Sequence, residues 1–115
     1  MDNLPSSHTP DLRVFFKALG NETRFKIFDL LMTGSQCNCE LAKALDMPLN
    51  LISHHIHILL DLGLVSAKRN KDDARWIFYS INQQVLAELN RSFIKFTDPS
   101  KIKDRIPACP IIVEK

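Results

Sequence analysis

Apolar residues recur at helical spacing through the first half of the chain, and the interruptions divide it into short segments. Leu12, Phe15, Phe16 and Leu19 stand at i, i+3, i+4 and i+7, and Gly20 stops the run. Asn21 is placed as an N-cap with Glu22 in the first turn after it, which opens a second helix carrying Ile27, Phe28, Leu30, Leu31 and Met32 as far as Gly34. A short third helix is expected over roughly Asn38 to Leu45, with Leu41, Ala44 and Leu45 on one face. Met47-Pro48 breaks it, and a fourth helix runs from near Pro48 to Asp61, closed by Gly63. The period then changes. Leu64 to Arg69 and Trp76 to Ile81 read as strands around the charged stretch Asn70 to Arg75, a hairpin with a charged tip. Helix resumes near Asn82, with Leu86, Leu89, Phe93 and Phe96 at helical spacing, and fades by Asp98-Pro99.

This order predicts a mainly α (α+β) fold, a winged helix-turn-helix with a two-stranded β-hairpin as its wing. Residues 1–10 are expected to form a loose arm, 11–97 the folded domain, and 98–115 a tail with Pro99, Pro107 and Pro110 that carries Cys109. At 115 residues and 45% hydrophobic, the chain suits one core and not two. Its net charge of +2 would not by itself suggest nucleic acid.

Location is more telling than total charge. On the fourth helix Ile52, Ile56, Leu59 and Leu60 form the expected buried stripe, while Asn50, Ser53, His54 and His57 share another face. Hydrogen-bonding side chains there suit base edges and phosphate oxygens, so the face is read as contacting double-stranded DNA rather than as merely solvated. Lys68, Arg69, Lys71 and Arg75 of the hairpin would reach flanking phosphates, a salt-dependent contribution that is largely independent of sequence. The same segment carries Asp72 and Asp73, whose direction the sequence leaves open. A zinc site on His54 and His57 would lack further ligands on that helix, so DNA contact is read for these two and local packing for His55.

The three cysteines are too odd a set for a closed disulfide framework and point to a reducing, cytoplasmic setting. No apolar run approaches a membrane span, and Met1 to Pro10 has neither the basic start nor the apolar stretch of a secretory signal. Cys37-Asn38-Cys39 opens the short third helix. Inside a regular helix, residues i and i+2 lie about 200° apart and could not share an ion. They converge if Cys37 is the N-cap and Cys39 lies in the first turn, where the helix N-terminus favours thiolate. Two thiolates select soft, thiophilic ions. The alternative is a pair of small buried residues.

Leu12-Arg13-Val14-Phe15-Phe16-Lys17-Ala18-Leu19-Gly20-Asn21-Glu22-Thr23-Arg24 resembles the opening helices of the ArsR/SmtB family of metal-sensing winged-helix repressors. Cys37-Asn38-Cys39-Glu40-Leu41 resembles that family's metal-box motif, Ile52-Ser53-His54-His55 with Leu59 and Gly63-Leu64-Val65 its recognition helix and exit, and Arg75-Trp76-Ile77-Phe78-Tyr79 its second wing strand. The resemblance spans about Leu12 to Leu89. It implies a homodimer through the first and last helices, and a repressor that leaves its operator when an ion binds.

Departures from the family pattern select the ion. Arsenic- and antimony-sensing members often have a third cysteine where this chain has Ala42, so the resemblance implies that Cys109 completes a three-thiolate As(III) or Sb(III) site with Cys37 and Cys39. Cadmium- and lead-sensing members draw cysteines from the N-terminal arm, which here has only His8 as a substitute. Zinc-sensing members place Asp, His, His and Glu on the last helix, where this chain reads Asn82, Gln83, Gln84, Lys95 and Asp98. The expectation is therefore an As(III)- or Sb(III)-responsive repressor without a permanent cofactor; a cadmium or lead sensor and a thiol-redox-responsive repressor are the alternatives. An enzyme is not expected: there is no Cys-x-x-Cys, no nucleophile–base–orienter set, and no glycine-rich phosphate loop among three glycines.

Overall fold

The structure, a computed structural model, describes residues 11–105 and Ala108. The N-terminal arm and Cys109 lie outside the described residues. The elements in chain order are α1 (Leu12–Leu19), α2 (Glu22–Leu31), β1 (Gln36–Cys37), α3 (Asn38–Leu45), α4 (Leu49–Asp61), β2 (Val65–Arg69), β3 (Ile77–Ile81) and α5 (Gln83–Phe96). A single 3₁₀ turn, Pro99–Lys101, follows.

Side-chain caps begin three of the helices. Asp11 accepts from the Arg13 amide, Asn21 from the Arg24 amide, and Asn82 from the amides of Gln84 and Val85. Each answers backbone donors that a helix start leaves without partners. The core sits where the helix-turn-helix pair meets α2 and the sheet: Ile27, Leu41, Ile52, Ile56, Leu59 and Leu64 are almost fully buried. Burying side chains of this size stabilises by about 1.5–3 kcal/mol each, which fixes the rotation of α4 about its axis. On α3 the expected apolar face is only partly realised, for Leu41 is buried and Leu45 half-buried while Ala44 is exposed.

The α3–α4 corner turns on Asp46, which adopts the left-handed conformation (φ 54°, ψ 52°). A short polar side chain tolerates this conformation better than a bulky one. The Met47 amide then donates to the Ala42 carbonyl at 2.9 Å, ending α3 and aiming the chain at α4.

The sheet has one strand more than the sequence pattern predicts. β2 and β3 form the expected antiparallel hairpin, and β1 pairs with the other edge of β3, giving the order β1-β3-β2. Gln36 lies opposite Tyr79 and Cys37 opposite Phe78. Two residues are too few to show a period of two, so this strand is invisible in the hydrophobic pattern. Its consequence is that the first cysteine belongs to the wing's own sheet.

Candidate thiol site and nucleic-acid interface

Cys37 is both the last residue of β1 and the N-cap of α3. Its extended dihedrals (φ −77°, ψ 152°) are those the sequence argument requires for two thiols to converge. The Sγ atoms of Cys37 and Cys39 are 3.3 Å apart. Cys37 is buried and Cys39 half-buried, and both are free thiols. The Cys37 amide donates to the Glu40 carboxylate at 2.6 Å, a charge-assisted bond that locks the helix start. Asn38, between the thiols, accepts from the Cys39 amide at 3.0 Å and from the Cys37 thiol at 3.2 Å.

The electrostatics correct one expectation. The helix N-terminus was expected to favour thiolate, yet the Cys39 thiol is pushed up from its usual range. The hydrogen bond with Cys37 is the main cause, followed by burial, the Cys37 charge and the Glu40 carboxylate. A neighbouring thiol and a carboxylate close by outweigh a fractional helix charge. Among the described residues no group of three or more His, Cys, Asp or Glu side chains forms a metal-binding cluster.

The face of α4 is assembled as the sequence predicts: Asn50, Ser53, His54 and His57 are all exposed. Ser53 and His57 share a cleft of about 480 Å³ with Arg69 and Ala67 of β2, and Ile77 and Tyr79 form its floor. A helix side chain and a wing cation thus border one groove. Leu49, 46% exposed in the first turn of α4, was missed by the sequence reading. Its signal was its position, because the N-terminal residues of a recognition helix reach base edges and an apolar one can meet a thymine methyl.

His55 is held apart from this face. Its Nδ1 lies 3.2 Å from the Arg24 guanidinium, which also donates to the Ala18 carbonyl at 2.7 Å. Arginine only donates, so His55 accepts at Nδ1 and is neutral. Burial, Arg24 and His54 all push its pKa down. The packing role expected for His55 is what the geometry gives.

The wing cations divide into two kinds. Lys68 and Lys71 are exposed. Arg69 donates to the Ala74 carbonyl at 2.6 Å, and Arg75 is paired with Asp73 at 2.7 Å and lies 5.7 Å from the Trp76 ring centre. Asn70 accepts from the amides of Asp72 and Asp73, turning Asp73 towards Arg75. The direction of Asp73, open in the sequence, is therefore inward to the hairpin. Part of Arg75's charge is neutralised within the turn.

Comparison with known proteins follows the same lines. The family described as "Bacterial regulatory protein, arsR family" matches residues 21–67, from the cap of α2 to the middle of β2. An uncharacterised helix-turn-helix transcriptional regulator of Methanocaldococcus jannaschii is 39% identical over 75 residues, covering 64% of this chain and 81% of that protein. The chain belongs to the ArsR family. It is a winged-helix, DNA-binding transcription regulator, and its relatives are regulators rather than enzymes. A cadmium resistance transcriptional regulatory protein from Listeria innocua is 29% identical over 83% of this chain and 78% of its own length. An arsenical resistance operon repressor of Staphylococcus xylosus is 29% identical over 71% and 76%. Among solved structures, an ArsR-like transcriptional regulator from Rhodococcus sp. RHA1 superposes with a TM-score of 0.66 at 27% identity, covering 78% of this chain and 82% of that one. No helix among the described residues is long and apolar enough to cross a membrane.

Proposed function

We propose that this chain is a homodimeric repressor that leaves its operator when As(III) or Sb(III) is bound by Cys37, Cys39 and Cys109. The observation that carries the reading is the 3.3 Å approach of two free thiols at the N-cap of the first helix of the DNA-binding pair. With sulfur–ion bonds of ~2.3 Å, this separation corresponds to an angle of about 90° at the ion, whereas tetrahedral sulfurs at that bond length stand ~3.8 Å apart. The narrower angle suits a pyramidal metalloid. Bound there, the ion supplies covalent sulfur bonds that replace the thiol protons and fix the start of α3.

Residues of the chain do the rest. Asn50, Ser53, His54 and His57 on α4 face the major groove, and Lys68, Arg69, Lys71 and Arg75 meet flanking phosphates. Dimerisation through α1 and α5 is supported by the apolar surface they leave uncovered. Phe16 and Phe93 pack edge to face at 5.8 Å, and both stay exposed, as do Val14, Ile94 and Phe96. Anchoring of α3 then biases the pair of helices between operator-binding and operator-free arrangements, and a coupling of about 1–3 kcal/mol suffices for a 5–150-fold loss of affinity.

A second reading, a cadmium sensor at the same two thiols, is favoured by the cadmium-resistance relative, which aligns over more of the chain than the arsenical repressor does. Titration of the reduced protein with arsenite, and in parallel with Cd(II), separates the two. Sulfur–metalloid absorbance and operator release are followed together in wild type and Cys109→Ser. The proposal expects one As(III) per protomer with release in step, and weakened binding in the variant. Release by Cd(II) and none by arsenite would establish the second reading instead.

A further inference from the structure

The side chain of Asn38 continues the β1 ladder after the backbone has left it. Gln36 and Cys37 face Tyr79 and Phe78, so the next rung of an antiparallel pair would set residue 38 opposite Ile77. The backbone instead turns into α3 at Asn38. The amide group fills that rung: Oδ1 accepts from the Ile77 amide at 3.3 Å, and Nδ2 donates to the Arg75 carbonyl at 3.3 Å. The same Oδ1 accepts from the Cys37 thiol and the Cys39 amide. One half-buried amide therefore touches a thiol, the first turn of α3 and the second wing strand at once.

We infer that Asn38 is the positioning residue through which the thiol pair sets the wing. The inference rests on the reading of Cys37 and Cys39 as ligands. When arsenite bonds Cys37 Sγ, an As–O bond breaks and the hydroxyl leaves as water with the thiol hydrogen that had pointed at Oδ1, so the sulfur then faces Oδ1 with electron pairs on both sides. The arrangement that answers this turns Nδ2 towards the sulfur and carries Oδ1 away from Ile77, because amide oxygen and nitrogen sit on opposite arms of one planar group. Both bonds to β3 are then lost together. The strand affected runs directly into Arg75 and lines the groove shared with Ser53, His57 and Arg69. Sensing thus reaches the DNA interface by two routes: through α3 to α4, and through Asn38 to the wing.

The test compares wild type with Asn38→Ala by arsenite titration, with sulfur–metalloid absorbance and operator affinity read on the same samples. Expected is wild-type stoichiometry of arsenite in the variant, operator affinity without arsenite already lowered because both bonds to β3 are gone, and further release by arsenite reduced at least about fivefold relative to wild type. Hydrogen exchange of the Ile77 amide in wild type gives a second readout that does not depend on the variant folding. Its exchange should accelerate when arsenite binds. Full release by the variant, or an Ile77 amide equally protected with and without arsenite, overturns the relay. Wild type that binds arsenite and keeps its operator overturns instead the functional reading beneath it.

Discussion

The two ends of α3 are built in opposite ways, although only eight residues, Asn38–Leu45, separate them. At the N-terminal end side chains do the bonding. Glu40 holds the Cys37 amide, Asn38 crosses to β3, and two thiols touch. At the C-terminal end the backbone does it: Asp46 takes a left-handed conformation and the Met47 amide closes on Ala42. Side-chain bonds can be exchanged for bonds to an ion without unfolding the chain, while a backbone corner has only one good conformation. One end is adjustable and the other rigid. A helix about 12 Å long between them acts as a lever, since it rises 1.5 Å per residue.

This contrast is broken most severely at the middle of the lever. Leu41 is fully buried between the two ends. Leu41→Ala is expected to destabilise by about 2–5 kcal/mol in denaturant unfolding, because it removes packing and leaves a cavity. Next comes the rigid end. Asp46→Val should cost about 1–2 kcal/mol of stability, because a β-branched residue strains at positive φ, while Asp46→Gly should be neutral or stabilising. Neither substitution at Asp46 should change the stoichiometry of arsenite, which is set at the other end.

The smallest effect belongs to the adjustable end. Cys39 is held protonated mainly by Cys37, with Glu40 a lesser contributor. A thiol whose pKa is raised on folding stabilises the fold below the unfolded value and loses that contribution as pH rises through the folded value. A thiophilic cation such as Cd(II) displaces the thiol protons, so Cd(II) affinity should increase with pH through the thiol range, whereas arsenite takes those hydrogens away as water and its affinity should not. Glu40→Gln removes one cause of the shift, and the pH midpoint for sulfur–cadmium absorbance should move slightly lower. A midpoint moving upward would contradict the sign.

Much of this was legible in the sequence because helices advertise themselves over many residues. Asn21 reads as a cap, Gly63 as a stop, and Ile52, Ile56, Leu59 and Leu60 as a buried stripe, of which Leu60 is in fact only half-buried. What stayed hidden depends on single contacts between distant residues. β1 is two residues long, and its pairing with β3 brings Cys37 against Phe78 across nearly half the domain's sequence. The Asp73–Arg75 pair needed the Asn70 turn to be seen. The protonation of Cys39 went against the helix-end expectation because a thiol at 3.3 Å exceeds a partial dipole charge in its effect. Phe16, read as part of one apolar helix face, is half exposed, and only the packing shows that it and Phe93 form a surface rather than a core.

The wing adds a milder contrast of its own. Lys68→Ala should lower the salt dependence of operator binding by about 0.9 in the log–log slope for each phosphate contact removed. Arg75→Ala should lower it by less, because Asp73 already neutralises part of its charge. Equal slopes for the two variants would mean that Asp73 releases Arg75 on DNA.

Whether thiols at one end of α3 govern DNA contact beyond the other is decided by operator affinity of the Cys37→Ser/Cys39→Ser double variant with and without arsenite. Wild-type affinity is expected without arsenite and no loss when it is added, against a loss of about 5–150-fold in wild type. Release of the double variant by arsenite to the same extent as wild type would contradict it.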